Sequence, residues 1–266
     1  EQPVMPTQSP PLAFLTLIRQ ALREDLGSGD LTSRAVIPAK LRVRARIVAK
    51  ERGVVSGVKM ATLTFGAVDR SVRSQIRRHS GDAVAPGTVI LTVEGKARSI
   101  FEAERVALNF LGHFSGISTL TSQFVKRIKG TRAKILDTRK TIPGLRLLQK
   151  YAVAAGGGQN HRLGLYDAVL IKTNHLRAAH LSVEEAVRKS RRTAGRKEVT
   201  IEVSNMREFQ AALRAKPDVI MLDNWRLSAI RNAVKLRRGS RPLLEVSGGV
   251  TLKNVRAIAK AGVDRI

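Results

Sequence analysis

The chain has no cysteine and few aromatic residues, and both shortages limit what it can be. Without a thiol among its 266 residues, disulfides, cysteine-ligated zinc sites and thiol catalysis are excluded. The absence of cysteine also fits a reducing compartment, so we expect a cytoplasmic protein. Aromatic residues make up only 4% of the sequence. The core must therefore be built mainly from Ala, Val, Leu and Ile.

The sequence also lacks a long apolar run. No stretch approaches the roughly 20 residues that a membrane-spanning helix requires, and the N-terminus shows no signal-peptide pattern. We therefore expect no membrane association. A hydrophobic content of 43% over this length nevertheless supports a sizeable core, in one large domain or two modest ones.

Acidic residues are scarce. Against 48 Lys and Arg there are only 21 Asp and Glu, which gives a formal net charge of +27 at pH 7. Such a field attracts polyanions, including nucleic acid. The excess is spread over predicted helices at 186–197 and 233–241, with no recognisable nucleic-acid module and few aromatic residues to stack on bases. A basic, nucleic-acid-binding barrel protein is thus the alternative from another functional class, and we expect at most non-specific binding.

The N-terminal third predicts an α+β domain. Apolar residues at helical spacing over 11–26 are followed by a glycine, which predicts a helix. Residues 41–50 alternate apolar and basic side chains, as a strand does. The Gly and Pro positions in 81–95 predict a hairpin flanked by a strand. A long helix is predicted over Ser99–Ile128, broken near Gly112–Gly116.

The rest of the chain alternates short buried strands with amphipathic helices. This βα repeat predicts a parallel sheet or barrel. We place the boundary between two domains at 115/116, giving an N-terminal domain over 1–115 and a barrel domain over 116–266. The predicted strands lie at 134–137, 168–172, 199–203, 218–222, 243–246 and 263–266. The predicted helices between them lie at 182–192, 206–215, 227–238 and 252–262.

Polar residues stand at the C-terminal ends of five successive strands, where α/β barrels carry their chemistry. The segments at these strand ends are Asp137-Thr138-Arg139-Lys140, Lys172, Glu202, Asp223-Asn224 and Ser247 with the glycines Gly248 and Gly249. One such residue would be a coincidence, whereas five strands favour a functional site. The Ser-Gly-Gly turn precedes the helix predicted over 252–262, and the N–H groups at such a helix start can cradle a phosphate.

A basic cluster lies between Asp137 and His175. It combines Arg139, Lys140, His161, Arg162 and Lys172 with apolar and glycine residues and very few acids. Arg fits a carboxylate or phosphate with two hydrogen bonds, and Lys adds a compact, mobile charge. The pattern indicates a pocket for a small, highly anionic substrate, with a basic surface loop as the alternative.

Seven segments identify a family. They are EDLGSGDLTS, ERGVVSGV, FEAERVALNFLGHFSGIST, DTRKTIPGLR, KYAVAAGGGQNHRLGLYDAVLIKTNH, IMLDN and LEVSGGV, in order from Glu24 to Val250. The chain resembles the quinolinate phosphoribosyltransferase family, also called nicotinate-nucleotide pyrophosphorylase. The resemblance implies an incomplete six-stranded α/β (TIM-like) barrel with an N-terminal α+β open-faced sandwich domain. It also implies transfer of phosphoribosyl from phosphoribosyl pyrophosphate to quinolinate in NAD biosynthesis, with loss of CO2.

The resemblance further implies roles for individual residues. Quinolinate binding falls to Arg105, Thr138, Arg139, His161, Arg162 and Lys172. Binding of phosphoribosyl pyrophosphate falls to Lys140, Asn174, Glu202, Asp223, Ser247, Gly248 and Gly249. Catalytic roles fall to Lys140, Lys172, Glu202 and Asp223, and the last two are also the expected Mg²⁺ ligands. Asn160 is expected to orient its loop.

The resemblance also implies a homodimer or higher oligomer in which Arg105 completes the neighbouring subunit's site. Where the sequence stops, at Ile266, the family is expected to continue through another glycine-containing phosphate loop. We therefore expect a shortened C-terminus, and whether it completes the 5′-phosphate site stays open.

Other interpretations stay open for several of these residues. His161 could be a buried, hydrogen-bonded core histidine, and Glu202 and Asp223 could form ion pairs with lysines at the strand ends. Arg105 could be a helix-surface residue paired with Glu102 or Glu104. A diverged relative could transfer phosphoribosyl to another pyridine or to a molybdenum-pathway substrate.

Overall fold

The computed structural model describes residues 12–266 and divides the chain into two compact units. The first unit reaches to Ser122 and includes Leu147–Gly157, and the second comprises Gln123–Arg146 and Gly158–Ile266. Each unit has its own hydrophobic core. Among the described residues, no helix combines the length and the apolar character needed to cross a membrane.

Nineteen helices and strands follow one another along these residues. The N-terminal part contains α1 (Leu12–Leu26), α2 (Leu31–Val36), β1 (Arg42–Val48), β2 (Gly53–Val54), α3 (Val58–Val68), β3 (Arg73–Ile76), β4 (Ala83–Val84), β5 (Val89–Lys96) and α4 (Ala97–Arg127). The remainder contains α5 (Arg146–Ala155), β6 (Val169–Ile171), α6 (Thr173–Ala179), α7 (Val183–Ala194), β7 (Val199–Val203), α8 (Met206–Ala215), β8 (Val219–Asp223), α9 (Leu227–Arg237), β9 (Leu243–Ser247) and α10 (Val255–Lys260).

The first unit contains an antiparallel sheet in the order β1-β5-β3, with helices against one face. Leu91 and Val93 of β5 are fully or almost fully buried and pack with Phe65 of α3 and Ala103 of α4. Successive side chains of a strand point to opposite faces, so the arginines of β1 share the other face. The predicted α+β domain and the predicted strand over 41–50 are confirmed.

Two predictions about this unit are wrong. The turn at 85–88 does not close a hairpin, because β4 pairs with β2 whereas β5 pairs with β1 and β3. The long helix α4 is not broken near Gly112–Gly116. Both glycines lie on its exposed side, while Leu111 and Phe114 are buried beside them. This packing outweighs the roughly 1 kcal/mol that each helical glycine costs.

The second unit is built around a parallel sheet in the order β6-β7-β8-β9. Isolated parallel bridges extend it, pairing Glu245 with Arg265, Arg265 with Lys134, and Leu136 with Gln159. The predicted strands at 134–137 and 263–266 are therefore present as short bridged segments, with 263–266 next to β9 and 134–137 next to 263–266. Together the six segments form the incomplete α/β barrel that the family resemblance implies.

The two faces of this sheet have different characters. Residues such as Ile201, Val203 and Leu222 are completely buried and pack against α7, α8 and α9, which match the predicted helices closely. The alternate positions, including Glu202 and Asp223, point to the opposite face, as the strand periodicity requires. The sequence did not predict α5 or α6.

Candidate active site

The C-terminal edge of the parallel sheet brings four of the predicted site residues to one rim. Lys172 directly follows β6, and Asp223 and Ser247 are the last residues of β8 and β9, where they are partners in register. Glu202 on β7 is in register with Met221, two residues before Asp223. Glu202 and Asp223 thus lie on adjacent strands and on the same face of the sheet, close to its C-terminal edge.

Asp137 joins the two basic loops, a role that the sequence analysis missed. Its Oδ1 accepts a hydrogen bond from the backbone N–H of His161 (2.9 Å), and its Oδ2 accepts one from Asn160 Nδ2 (2.6 Å). Residues 138–140 follow Asp137 immediately, so these bonds hold them next to the Asn-His-Arg turn. The bond from Asn160 to Asp137 agrees with the prediction that Asn160 orients its loop.

Two further charged side chains shape these loops, and the sequence analysis missed both. Arg146 Nε donates to Thr141 Oγ1 (3.0 Å), and its Nη1 donates to the carbonyl oxygen of Leu163 (3.2 Å). Asp167 accepts hydrogen bonds from the backbone N–H groups of Leu163 (2.6 Å) and Gly164 (2.8 Å). Nothing in the sequence shows which groups Arg146 and Asp167 bind.

Arg139 and Arg162 are partly buried cations with no ion-pair partner among residues 12–266. Arg139 Nε is buried and makes no hydrogen bond within the described part of the chain. Arg162 Nη1 donates to the carbonyl oxygen of Ala168 (3.2 Å). Burial lowers the pKa of Arg162, the charge of Arg139 lowers it further, and Asp167 acts in the opposite direction. An anion bound here would relieve both the repulsion and the unsatisfied donor.

His161 lies between the Arg162 backbone and a buried carboxyl group. Its Nδ1 accepts a hydrogen bond from the Arg162 N–H (2.8 Å), and its Nε2 lies 3.5 Å from Glu245 Oε1. The His161 side chain is only 11% exposed. His161 is therefore largely buried, as the core-histidine alternative requires. It also lies directly beside Arg162, as a residue of the binding site would.

Glu245 is a buried acid of the second unit with a strongly raised pKa, and no role is predicted for it from the sequence. Its side chain is 7% exposed, and burial raises its pKa to about 7. The charge of Arg265, 3.9 Å away, opposes this rise in pKa, and the charge of Glu198 adds to it. Arg265 also makes two 2.8 Å bonds to Glu198. In the sequence alone, a glutamate in a strand is expected to face solvent. Only the structure shows that Glu245 is buried.

The acids of the rim are not paired with lysines. Glu202 Oε1 accepts a hydrogen bond from Thr173 Oγ1 (2.6 Å), and Asp223 Oδ2 accepts one from Asn224 Nδ2 (3.0 Å). No salt bridge within residues 12–266 involves either carboxylate, so the ion-pair alternative is wrong for this part of the chain. Both acids keep lone pairs for another ligand.

The described residues contain no group of three or more His, Asp or Glu side chains that could enclose a metal ion. Mg²⁺, however, is commonly bound by one or two carboxylates together with substrate phosphates and water. Glu202 and Asp223 fit that kind of site, because both are carboxylates on the same face of adjacent strands. They do not form a metal cage of protein ligands alone.

The loop after β9 differs from the expected phosphate cradle. Helix α10 begins at Val255, so it does not start directly after Gly249, and it spans only 6 residues. Instead, the loop is held by hydrogen bonds from Asn224 N–H to the Ser247 oxygen (2.8 Å) and from Asn254 Nδ2 to the Gly249 oxygen (2.9 Å). The expected helix start at this position was therefore wrong.

Gly248 cannot be replaced without strain. Its φ is +84°, and a Cβ atom there would lie 2.2 Å from Asn224 Oδ1. Asn224 itself has a φ of +59° and stands next to Asp223. The Ser-Gly-Gly turn thus approaches the end of β8 closely, and this contact requires glycine.

The remaining predicted residues are exposed. Thr138 Oγ1 accepts a hydrogen bond from the Lys140 N–H (3.0 Å), and Asn174 lies in the first turn of α6. Arg105 lies on the exposed side of α4, in the first unit. No salt bridge among residues 12–266 joins it to Glu102 or Glu104, so the alternative of a paired helix-surface residue is wrong within that range.

Comparison with known proteins covers nearly the whole chain. The family model described as "Quinolinate phosphoribosyl transferase, C-terminal domain" matches residues 117–266, and the corresponding N-terminal domain model matches residues 30–115. The nicotinate-nucleotide pyrophosphorylase [carboxylating] of Mycobacterium leprae is 44% identical over 252 residues, which cover 93% of this chain and 88% of that protein.

Solved structures agree. The nicotinate-nucleotide pyrophosphorylase of Francisella tularensis superposes with a TM-score of 0.91 at 38% identity, covering 97% of this chain and 91% of that chain. NadC of Streptococcus pyogenes gives the same TM-score at 36% identity, with the same coverage. The chain belongs to the quinolinate phosphoribosyl transferase family.

Proposed function

We propose that this chain transfers phosphoribosyl from phosphoribosyl pyrophosphate to quinolinate. The products are nicotinate mononucleotide, pyrophosphate and CO2, in the biosynthesis of NAD. The observation that carries this proposal is the pair Arg139 and Arg162, two partly buried cations that make no salt bridge among the described residues, although the charge of Asp167 acts on Arg162. The two carboxylates of quinolinate would supply the salt-bridge partners that these arginines lack among the described residues.

Quinolinate has two adjacent carboxylates, and the site has donors for both. Arg139 and Arg162 each present a planar fork that matches a carboxylate. Thr138 and Lys172 border them at the strand ends. His161 accepts the Arg162 N–H and so fixes the backbone from which the guanidinium projects. Arg105 is the sixth quinolinate residue of the proposal.

Phosphoribosyl pyrophosphate needs cations and backbone donors. Lys140 and Lys172 are exposed and have no ion-pair partner within residues 12–266, so both can neutralise the pyrophosphate. The turn Ser247-Gly248-Gly249 presents backbone at the same rim, with both glycines at positive φ. Consecutive N–H groups in such turns form an anion-binding concavity. Asn174 lies on the neighbouring helix α6.

The chemistry requires charge stabilisation and no general base. The bond between the ribose C1 and the pyrophosphate oxygen breaks with its electron pair on oxygen, and the pyridine nitrogen forms the new bond to C1. Positive charge develops on the ribose, and the carboxylates of Glu202 and Asp223 are placed to stabilise it. The C2 carboxylate of the adduct leaves as CO2, and a solvent proton takes its place on the ring.

Mg²⁺ is the cofactor of this proposal. Glu202 and Asp223 would hold it together with oxygens of the pyrophosphate, since the donor set fits a site completed by substrate. When bound, the ion supplies charge neutralisation on the leaving pyrophosphate. Thr173 keeps the Glu202 carboxylate in place through its 2.6 Å hydrogen bond.

A homodimer with shared active sites is also part of the proposal. Arg105 is exposed on α4 and has no partner in its own chain among residues 12–266. It would complete the quinolinate site of the neighbouring subunit. We place the enzyme in the cytoplasm, which fits the absence of cysteine.

The test is substrate selectivity in the purified protein with Mg²⁺. Quinolinate should be converted to nicotinate mononucleotide, whereas nicotinate, which lacks one carboxylate, should be a poor substrate. Arg162→Ala should lose roughly 2–5 kcal/mol of quinolinate binding or turnover, because the truncation leaves a buried substrate charge unpaired. Arg192→Ala, which removes an exposed cation on α7, is the matched control and should remain active. Equal use of both pyridines would contradict the proposal.

A further inference from the structure

The first unit carries a concentration of arginine that the proposed reaction does not use. On the sheet face opposite α3 and α4, Arg44, Arg46, Arg77 and Arg78 line an open concavity of about 700 Å³. All four side chains are exposed. Thr92 of the central strand β5 also lines the concavity and is 6% exposed. We call the four arginines the arginine face.

The spacing of these arginines follows from strand geometry. Side chains two residues apart in β1 lie on one face at about 7 Å, so Arg44 and Arg46 can each contact a separate phosphate. Arg46 is in register with Thr92, and Arg44 is in register with Glu94. On the other side of β5, Arg73 also pairs with Glu94. Cations thus flank the central strand on both sides, with one carboxylate between them.

The arginine face makes no salt bridge within the described residues, although Glu94 lies in register with Arg44. Within residues 12–266, no salt bridge involves any of its four members, and their side chains make one hydrogen bond, from Arg78 Nη1 to the Arg77 oxygen (2.8 Å). Other arginines of the chain are neutralised by acids, as Arg191 is by Asp218 at 2.8 Å. The cations of the arginine face are therefore available to an external anion.

We propose that the arginine face binds the phosphate backbone of double-stranded nucleic acid without reading its sequence. The guanidinium fork fits a phosphate with two hydrogen bonds, and a duplex presents one charge per about 1.7 Å of its axis. Single strands are normally held by base stacking on aromatic side chains, and no Phe, Tyr or Trp lines the concavity. Contacts to phosphate alone carry no sequence information.

This function goes beyond the proposed phosphoribosyl transfer and does not depend on it. The competing explanation is that the net charge of +27 attracts nucleic acid wherever lysine and arginine are exposed. The two explanations differ in the effect of position. A specific face predicts that three arginines lost there matter far more than three lost elsewhere, whereas a diffuse field predicts equal losses.

The experiment is fluorescence anisotropy of a short labelled duplex of arbitrary sequence. Wild-type protein is compared with the triple variant Arg44→Gln, Arg46→Gln, Arg77→Gln. The matched control is Arg188→Gln, Arg192→Gln, Arg196→Gln, which removes the same charge from exposed positions of α7 and the loop after it. Between about 50 and 200 mM salt, the face variant should bind at least about tenfold more weakly, with a salt slope smaller by about three. The control should lose less than about twofold.

Both variants should keep the melting temperature and the transferase turnover of the wild type, because neither touches the proposed catalytic residues. If the triple variant fails to fold, Arg46→Gln alone should reduce the salt slope by about one. Equal losses in the face variant and the control would overturn the proposal. So would equal affinity for a single strand of the same length, or no duplex binding by the wild type at about 50 mM salt.

Discussion

Single residues of the second unit differ in whether their charges are satisfied. Arg191 and Arg265 make salt bridges to carboxylates at 2.8 Å, whereas Arg139 and Arg162 make none among the described residues. Desolvating an unpaired cation costs free energy, so a fold keeps one only where something else neutralises it. The contrast separates structural arginines from those that we assign to substrate.

Glu202 and Asp223 should act on the chemical step. Glu202→Gln and Asp223→Asn keep the shape of the side chains but remove the charge that stabilises the ribose cation. Each should therefore lower kcat more than it weakens quinolinate binding, the pattern of an interaction made mainly in the transition state. Steady-state kinetics with both substrates varied measures this. Unchanged kcat in both variants would leave the two acids with a structural role only.

Glu245 should make stability depend on pH. Its pKa is raised from 4.5 to about 7 in the folded state, so the folded protein binds the proton more tightly than the unfolded chain does. This contribution is fully present below about pH 4.5 and is lost as pH rises through 7. The lost free energy of unfolding is roughly 2–4 kcal/mol, because a tenfold difference in proton affinity between the two states corresponds to about 1.4 kcal/mol. Glu245→Gln has no such proton to lose.

Denaturant unfolding of both proteins at several pH values between about 4.5 and 8 measures the effect. The stability of the wild type relative to Glu245→Gln should fall across that window. The other charged groups around the carboxyl, His161, Arg265 and Glu198, are the same in both proteins. A stability difference that does not change with pH would show that folding does not raise the pKa of Glu245.

At the scale of helices and strands, periodicity predicted most of the fold. The helices α7, α8 and α9 follow from apolar residues at helical spacing, and the strands β6 to β9 follow from the short buried runs between them. The C-terminal ends of these strands located the site rim. The pairing of β4 with β2 did not follow, because local turn residues do not determine which strand is the partner. Helix α4 continues through two glycines because tertiary packing overrides propensity. The predicted domain boundary at 115/116 stays a prediction.

Within the site, the residue types predicted which cations and acids take part. They did not predict the hydrogen bonds that hold these side chains and their loops in place. Asp137, Arg146 and Thr173 act through partners that are at least 17 residues away in the sequence, and no sequence pattern connects them. Asp167 instead accepts hydrogen bonds from the nearby backbone of its own loop. The roles of individual residues in substrate binding remain predictions until they are measured.

The loop after β9 should be sensitive to a single methyl group. Gly248→Ala places a Cβ against Asn224 next to Asp223, so we expect the KM for phosphoribosyl pyrophosphate to rise several-fold more than the KM for quinolinate. Gly249→Ala is the matched comparison, since its φ is also positive but a Cβ there meets no atom within 4 Å. Equal effects of the two substitutions would show that backbone strain alone decides.

At the scale of the whole molecule, the charge of +27 has two proposed uses. Part of it forms the anion site of the second unit, and part forms the arginine face of the first. The sequence pattern alone places the excess on helices and does not separate the arginines of β1 from them. The oligomer is the other property at this scale, and Arg105 gives a way to test it.

Complementation between two inactive variants tests the shared site. Arg105→Ala and Lys172→Ala should each be nearly inactive alone. After subunit exchange, a hybrid dimer has one site with both lesions and one with none. Random pairing makes about half of the dimers hybrid, so roughly a quarter of wild-type activity should return. No recovery, with exchange confirmed by native mass spectrometry, would mean that Arg105 acts within its own chain or not at all.

The most direct test of the proposed reaction is its stoichiometry. Purified protein is incubated with Mg²⁺, phosphoribosyl pyrophosphate and quinolinate labelled in the C2 carboxylate, and the three products are counted. We predict equal amounts of nicotinate mononucleotide, pyrophosphate and labelled CO2, with none formed when either substrate is omitted. Pyrophosphate release without labelled CO2, or no nucleotide at all from quinolinate, would contradict the assignment.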